Sequence, residues 1–396
     1  MTLPVAADSS GALLNTYRRA PMEIVRGAGC ELFDADGRAY LDFTSGIAVT
    51  ALGHGDAGVA KAIREALETG LIHVSNLFRT EPGETLAARL VELSFADHVF
   101  FCNSGAEANE AAFKFARKWA RQQGGPAKHE ILALRGSFHG RLFATLAATD
   151  RPQYRAAFRP LAGGISIVER DLDELRAALD GERVAAVIVE PVQGEGGVRV
   201  LDHEFLQALR GLTRERGIAL ILDEIQCGLS RTGTLFAYEQ AGITPDLLTL
   251  AKPIAGGLPM GAVLVTEEIA GAMQAGDHGT TFGGGPFVSH VAQHVLARLS
   301  DPTLLHHVQD TGRWFGGRLA ALCASNPRVR SVRGLGLMWG VDVMPAAADV
   351  IAHAREHGLL LVSAGEHTVR FLPPLVVSRD ELSRGLAIFE AALAST

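Results

Sequence analysis

An α/β fold with a mostly parallel sheet is predicted by three features of the sequence. Short β-branched or apolar runs alternate with longer stretches of helical periodicity from residue 98 onward, the order that βαβ units produce. Glycine supplies 44 of 396 residues, about 11% against a usual ~7%, and it clusters in short runs that suggest tight turns around a ligand. The chain is 47% hydrophobic and 20% charged, which is enough apolar content for a full core and too much for a disordered polymer.

The elements follow in order. CELFDADGRAYLDF (30–43) reads as a hairpin around Asp36-Gly37. HVFFC (98–102) reads as a strand, and Ala106 to Ala120 as a helix with Ala108, Ala112, Phe115 and Trp119 on one face. EILAL (130–134), VAAVIV (184–189), IALIL (218–222), DLLTL (246–250) and GAVLV (261–265) are further strands. DLDELRAAL has the spacing of a crossover helix. EFLQALRGLTRERG, after Asp202, gives another, closed by Gly217.

The parallel pattern stops near residue 300, where Asp301-Pro302 interrupts the chain. Beyond it, 321–343 reads as a helix end, a turn and a hairpin, 347–358 as a helix, 367–378 as extended chain, and 379–393 as a closing helix. This predicts a large α/β domain over 56–300 and a small α+β domain over 301–396, against which residues 1–55 pack.

Composition narrows the function. Lys+Arg 37 against Asp+Glu 44 gives a net charge of −7, with no overall field for a polyanion, so nucleic-acid and anionic-membrane partners are disfavoured. Cys30, Cys102, Cys227 and Cys323 are widely spaced, unlike a disulfide framework or a structural zinc site. The segment MTLPVAADSS lacks a basic head followed by an apolar run, and no stretch reaches ~18 apolar residues. A cytoplasmic location is the default expectation. The histidines form no HExxH and there is no G-x-S-x-G elbow or Walker A loop, so a metal site, an α/β-hydrolase and a P-loop ATPase are not expected.

Chemistry gathers at the strand ends. NSGAEANE (103–110) places Ser104, Gly105 and Ala106 at a helix start, where backbone N–H groups stabilise an oxyanion such as phosphate. The same residues also make an ordinary capping box, with Ser104 as N-cap and Glu107 three residues on, and both readings stand. In LDEIQ (222–226), Asp223 sits at the carboxyl end of a strand, the ligand edge of open α/β sheets. It can hold a proton on a heterocyclic nitrogen or ligate magnesium. Lys252 follows another strand in TLAK, the position expected of an amine that condenses with a carbonyl; a solvated lysine is the plain alternative. Pro253 is expected to hold Lys252 extended.

GSFHGR (136–141) offers Phe138 for ring stacking and Arg141 for a carboxylate, though core packing and solvent exposure suit them equally. EPVQGEGG (190–197) carries Glu190, Gln193 and Glu195 in a Gly-bounded loop. Arg370, inside the extended run HTVRFLPPL, needs a carboxylate partner from the protein or a ligand. An anion cradle, a stacking ring, a carboxylate for a ring nitrogen and a lysine together form the inventory of a pyridoxal phosphate site.

At this level of detail the sequence resembles the class III, fold-type I pyridoxal phosphate aminotransferases. TYRRAP, LDFTSGIAVTALGH, HVSNLFRTEP, NSGAEANEAAFKFARKW, SFHGR, EPVQGEGG, LDEIQCGLSRTG, LAKPIAGGLPMGA, HGTTFGG, VRGLGLMWGVDV and VRFLPPL fall in family order over nearly the whole chain. The resemblance implies that Lys252 joins the cofactor covalently and that Asp223 partners its ring nitrogen; these are the two catalytic residues. It further implies Phe138 stacked on the ring, Ser104, Gly105 and Ala106 on the phosphate, and Gln226 near the 3-hydroxyl. The resemblance also implies that Thr281 adds a phosphate contact across the interface of a homodimer and that Arg141 takes the substrate carboxylate far from the reacting carbon. By the same resemblance Arg370 would take the α-carboxylate of glutamate, and Glu195 would neutralise it when no such carboxylate is present.

GIAV, LGH and HVSNLF align the chain with the branch that moves the terminal amine of N2-acetyl-L-ornithine to 2-oxoglutarate. Succinylornithine, N-succinyl-diaminopimelate semialdehyde, ornithine and 4-aminobutyrate are the alternative substrates. A nucleotide-dependent oxidoreductase is a distant alternative that lacks a glycine fingerprint in the right context, and a non-catalytic binding protein is the blandest one. The chain departs from the family pattern at Cys227, Leu229, Ser230, Pro253 and Gly285; Ser230 replaces a glycine.

Overall fold

The computed structural model describes residues 12–396. Its centre is a seven-stranded sheet in the order His98–Cys102, Gly261–Val265, Leu247–Leu250, Ala219–Asp223, Val184–Val189, Glu130–Leu134, Ile165–Val168. The last five strands run parallel. Gly261–Val265 is antiparallel to both of its neighbours. The link before it, 251–260, is too short for the crossover that a parallel partner requires. Val184–Val189 is buried at every position, as a central parallel strand should be.

Ile165–Val168 was not expected from the sequence: its four residues are all half-buried at the sheet edge, so neither alternation nor a continuous buried run marks it. The helices Ala57–Glu68, Glu81–Glu92 and Pro286–Leu299 were likewise not foreseen. The helix Gly105–Gly124 buries Ala108, Ala112, Phe115 and Trp119, the expected face, and its small residues let it lie close on the sheet.

Segments from the first and last parts of the described chain meet. Glu31–Asp34 and Ala39–Asp42 form the expected hairpin, and Leu359–Leu360 joins it in parallel, Leu359 opposite Leu41. The hairpin of Val329–Leu335 and Met338–Val343 continues onto Thr368–Phe371, with Gly340 opposite Arg370. That strand carries Arg370 from the second sheet toward the strand ends of the first.

One strained turn lies against the site. Ser45, Gly46, Ile47 and Ala48 all have left-handed φ, from 47° to 66°, at a cost of about 1–2 kcal/mol for each non-glycine residue. Asp42 offsets it: its Oδ1 accepts the Thr44 hydroxyl at 2.6 Å, the Thr44 N–H at 2.9 Å and the Ser45 N–H at 3.0 Å, while His54 meets its Oδ2 at 2.8 Å. Ser45 donates its hydroxyl to the Leu372 carbonyl at 2.6 Å. Ser230 also has positive φ, 74°, and its hydroxyl donates to the Leu299 carbonyl at 2.5 Å. Among the described residues no helix is long and apolar enough to cross a membrane, and no cluster of three His, Cys, Asp or Glu could hold a metal ion.

Candidate active site

A cavity of about 440 Å³ opens at the carboxyl ends of the parallel strands, and Ser104, Gly105, Ala106, Phe138, Arg141, Glu195, Asp223, Gln226 and Lys252 all line it. Residues spread over 149 positions of sequence thus share one space. Arg370 stands behind Glu195 and Gln226 and bonds to both. Of the predicted site residues only Thr281 lies apart, exposed on the surface and outside this chain's own cavity.

The helix that starts at Gly105 opens at the cavity. Ser104 caps it, its hydroxyl accepting from Glu107 N–H at 3.3 Å. Glu107 does not reach back to Ser104: its carboxylate accepts the Asn103 N–H at 2.8 Å and the Asn103 side-chain amide at 2.9 Å. The expected capping box is therefore displaced by one residue. The first N–H groups of the helix have no partner within it, and Ser104, Gly105 and Ala106 line the cavity. A Cβ on Gly105 would come within 2.8 Å of Ile225, so only glycine leaves this edge open to a ligand. Ile225 itself lines the cavity, an apolar wall that the sequence reading did not single out.

Asp223 ends the strand Ala219–Asp223 and is 4% exposed. Its Oδ2 accepts from Asn109 Nδ2 at 2.7 Å and meets His139 Nδ1 at 2.7 Å, while its Oδ1 accepts from Ile225 N–H at 3.1 Å. Asn109 is fixed in turn by the Thr249 hydroxyl at 2.8 Å and by its own bond to the His139 carbonyl at 2.9 Å. This buried lattice holds the carboxylate in place and was missed in the sequence. Its signals were available: His139 sits inside GSFHGR, and Asn109 falls one helical turn after Gly105. Glu224, next to Asp223 in the chain, turns away into the core and accepts Ala237 N–H at 2.6 Å and Tyr238 N–H at 2.8 Å; burial pushes its carboxyl up to about 8.

Lys252 contradicts one expectation. Pro253 does not hold it extended: Lys252 has φ +40° and opens a 3-10 turn over Lys252–Ala255. Packing of that turn against the helix Pro286–Leu299 overrides the local preference. Burial pulls the lysine below its ordinary pKa, opposed by the charges of Asp223 and Glu195. Glu190, which lines the cavity and accepts Phe138 N–H at 2.9 Å, is raised by burial to about 7.

Arg370 is 1% exposed and makes a 2.6 Å ion pair from Nη2 to Glu195 Oε1; Nη1 donates to Gln226 Oε1 at 2.9 Å. Gly194 is required here, because a Cβ at that position would stand 1.9 Å from Gln226 Oε1. Arg141, at the cavity mouth, lies with Cζ 3.7 Å from the ring centroid of Tyr154 and 5.9 Å from that of Phe138.

The sequence pattern that defines the family described as "Aminotransferase class-III" matches residues 14–393. The chain belongs to the class-III aminotransferases. Among proteins similar to this one, an acetylornithine aminotransferase of Methanocaldococcus jannaschii is 44% identical over 370 residues, covering 93% of this chain and 92% of its own. A mitochondrial acetylornithine aminotransferase of Alnus glutinosa is 46% identical, over 95% of this chain and 84% of its own. The structure of N-acetylornithine aminotransferase from Stenotrophomonas maltophilia superposes with a TM-score of 0.84 at 36% identity, over 95% of this chain and 96% of that one. Ornithine aminotransferase from Toxoplasma gondii gives 0.93 at 30%, over 98% and 93%.

This class-III aminotransferase has the fold-type I architecture and uses pyridoxal phosphate. The cavity fits that cofactor on its own terms. It offers an N–H cradle that a Cβ would obstruct, an aromatic and an aliphatic wall in Phe138 and Ile225, a buried carboxylate and a withdrawn amine.

Proposed function

We propose that this class-III aminotransferase moves the terminal amino group of N2-acetyl-L-ornithine to 2-oxoglutarate, giving N-acetyl-L-glutamate 5-semialdehyde and L-glutamate in a ping-pong cycle. The observation that carries this reading is the Arg370–Glu195 pair beside Lys252. A donor such as acetylornithine bears no carboxylate on its reacting carbon, whereas glutamate does, and one pocket must accept both. A bare buried arginine favours glutamate; a carboxylate that covers it, and can leave, serves both. Glu195, 23% exposed against 1% for Arg370, is the partner with room to move.

Bound pyridoxal phosphate supplies an electron-accepting ring and an aldehyde that exchanges with amines. We assign its phosphate to the N–H groups of Ser104, Gly105 and Ala106, its ring to Phe138, and its 3-hydroxyl to Gln226. Asp223, locked by Asn109 and His139, keeps a proton on the ring nitrogen. Lys252 holds the cofactor at rest. Its Nζ would be the group to take the proton from the amine-bearing carbon of the donor, and burial, which lowers its pKa, favours the basic form that this step needs. Arg141 binds the carboxylate at the far end of the substrate, and Arg370 the α-carboxylate of glutamate.

The working form in this proposal is a homodimer. Leu71, Ile72, Leu77, Phe78 and Phe282 are exposed apolar residues. Asn76 donates to the Thr280 carbonyl at 3.0 Å and the Gly283 carbonyl at 3.1 Å, which joins the two segments into one surface. Thr281, on that surface, is free to reach the phosphate of a second copy.

A donor panel with 2-oxoglutarate as acceptor tests the substrate: N-acetylornithine, N-succinylornithine, ornithine and 4-aminobutyrate. The expected result is the highest kcat/KM with N-acetylornithine. A higher value for any of the other three would replace the assignment.

A further inference from the structure

We propose that Tyr154 is a positioning residue for substrate selection: its ring, with Arg141 Cζ lying over it, orders the guanidinium at the cavity mouth for a carboxylate and so favours substrates that carry one. The inference deepens the assignment of Arg141 to the distal carboxylate and rests on it.

Several arginines of this fold are paired with carboxylates, among them Arg210 with Asp246, Arg333 with Asp342 and Arg370 with Glu195; Arg26, on Phe33, stacks on a ring away from the cavity. Arg141 lies at the mouth of the cavity, yet among the described residues no carboxylate meets it, and its partners are two aromatic rings. At 3.7 Å from the Tyr154 centroid the guanidinium carbon is in stacking contact. The five N–H donors of arginine lie in its plane, so a ring on one face leaves all of them available. A free arginine also loses about 2 kcal/mol of rotamer freedom when it is immobilised. A ring that orders it beforehand removes part of that cost from substrate binding.

Tyr154 is itself anchored. It sits in the short helical turn Pro152–Arg155, half-buried, and its ring meets Phe138 edge-on with centroids 6.5 Å apart at 85°. Phe138 forms the cavity wall. The chain Phe138–Tyr154–Arg141 therefore ties the carboxylate-binding edge to the wall beside the reacting centre, a ruler for the length of the substrate. The Tyr154 hydroxyl makes no hydrogen bond among the described residues, so the aromatic face is the working part.

The test compares Tyr154→Leu, Tyr154→Phe and Arg141→Ala in the cofactor-loaded enzyme. Glutarate, an unreactive dicarboxylate, is titrated against the visible spectrum, and pyridoxal phosphate against the apo-protein. For Y154L the glutarate Kd and the KM for N-acetylornithine are expected to rise by about three- to tenfold, the range of a cation–π contact, with kcat within about twofold. Y154F should match the parent, and the cofactor Kd should not move in either variant. An unchanged glutarate Kd in Y154L overturns the proposal. So does an equal loss of cofactor affinity, which would assign Tyr154 to support of Phe138. If R141A leaves glutarate binding intact, the assignment of Arg141 fails as well. Should Y154L not fold, Tyr154→Gln takes its place, with the same outcomes.

Discussion

Arg370 Nη2 lies 2.6 Å from Glu195 Oε1, with the arginine almost wholly buried and the glutamate partly open to the cavity. The pair joins a strand of the second sheet to a loop that leaves the first.

Replacing Glu195 with glutamine should separate the two half-reactions. The uncovered Arg370 keeps Gln226 as a partner and remains ready for an α-carboxylate. Single-turnover rates should show N-acetylornithine reactivity reduced by about tenfold or more, with glutamate within about twofold. Equal changes for both would remove the gating role.

Lys252→Ala should abolish covalent attachment of the cofactor and lower turnover by at least about 10²–10⁴-fold, the share of a positioned acid–base group. Borohydride reduction followed by peptide mapping should find the cofactor on Lys252 in the parent and on no residue in the variant. Label on another lysine would dismantle the catalytic assignment.

A methyl group on Gly105 has no room. Gly105→Ala drives Cβ toward Ile225 at 2.8 Å, so the wall or the helix start must shift. Overpacking of this kind should weaken cofactor binding by roughly tenfold, measured by titration of the apo-protein. Adding Ile225→Val should recover part of the loss.

Glu224 gives a pH dependence of stability. Its folded pKa, about 8, lies above the ordinary 4.5, so the folded chain binds the extra proton. Its contribution is fully present below about pH 4.5, declines as pH rises and is lost once pH passes the folded value near 8. Glu224→Gln cannot ionise. The Tm difference, variant minus parent, should grow more positive from pH 5.5 to pH 8.5; a flat difference would contradict the burial effect.

Phe282→Asp places a charge in the exposed apolar surface that includes Leu77 and Phe78. Light scattering should show a dimer in the parent and a weakened dimer, by more than about tenfold, in the variant. Thr281→Ala should keep the dimer and lose only cofactor affinity.

The short motifs were legible because each carries its own chemistry: a small-residue helix start, an aspartate at a strand end, a lysine before a Gly-rich turn. The buried strands of the central sheet were equally clear, being continuous apolar runs of strand length. Ile165–Val168 was not, since an edge strand with half-buried residues leaves no such pattern. Tyr154 escaped notice because nothing local relates it to Arg141; only the fold of 142–155 brings the ring under the guanidinium.

The sequence alone determined the residue types suited to a phosphate, a ring and an amine, since backbone N–H groups, aromatic faces and carboxylates keep their chemistry wherever they are placed. Tertiary structure decided the rest: the left-handed backbone at Lys252, the Asn109–His139 clamp on Asp223, and the closure of Glu195 over Arg370. Each of these depends on contacts between segments far apart in the chain. Local propensity cannot encode them, because the energy that fixes them comes from packing and burial across elements.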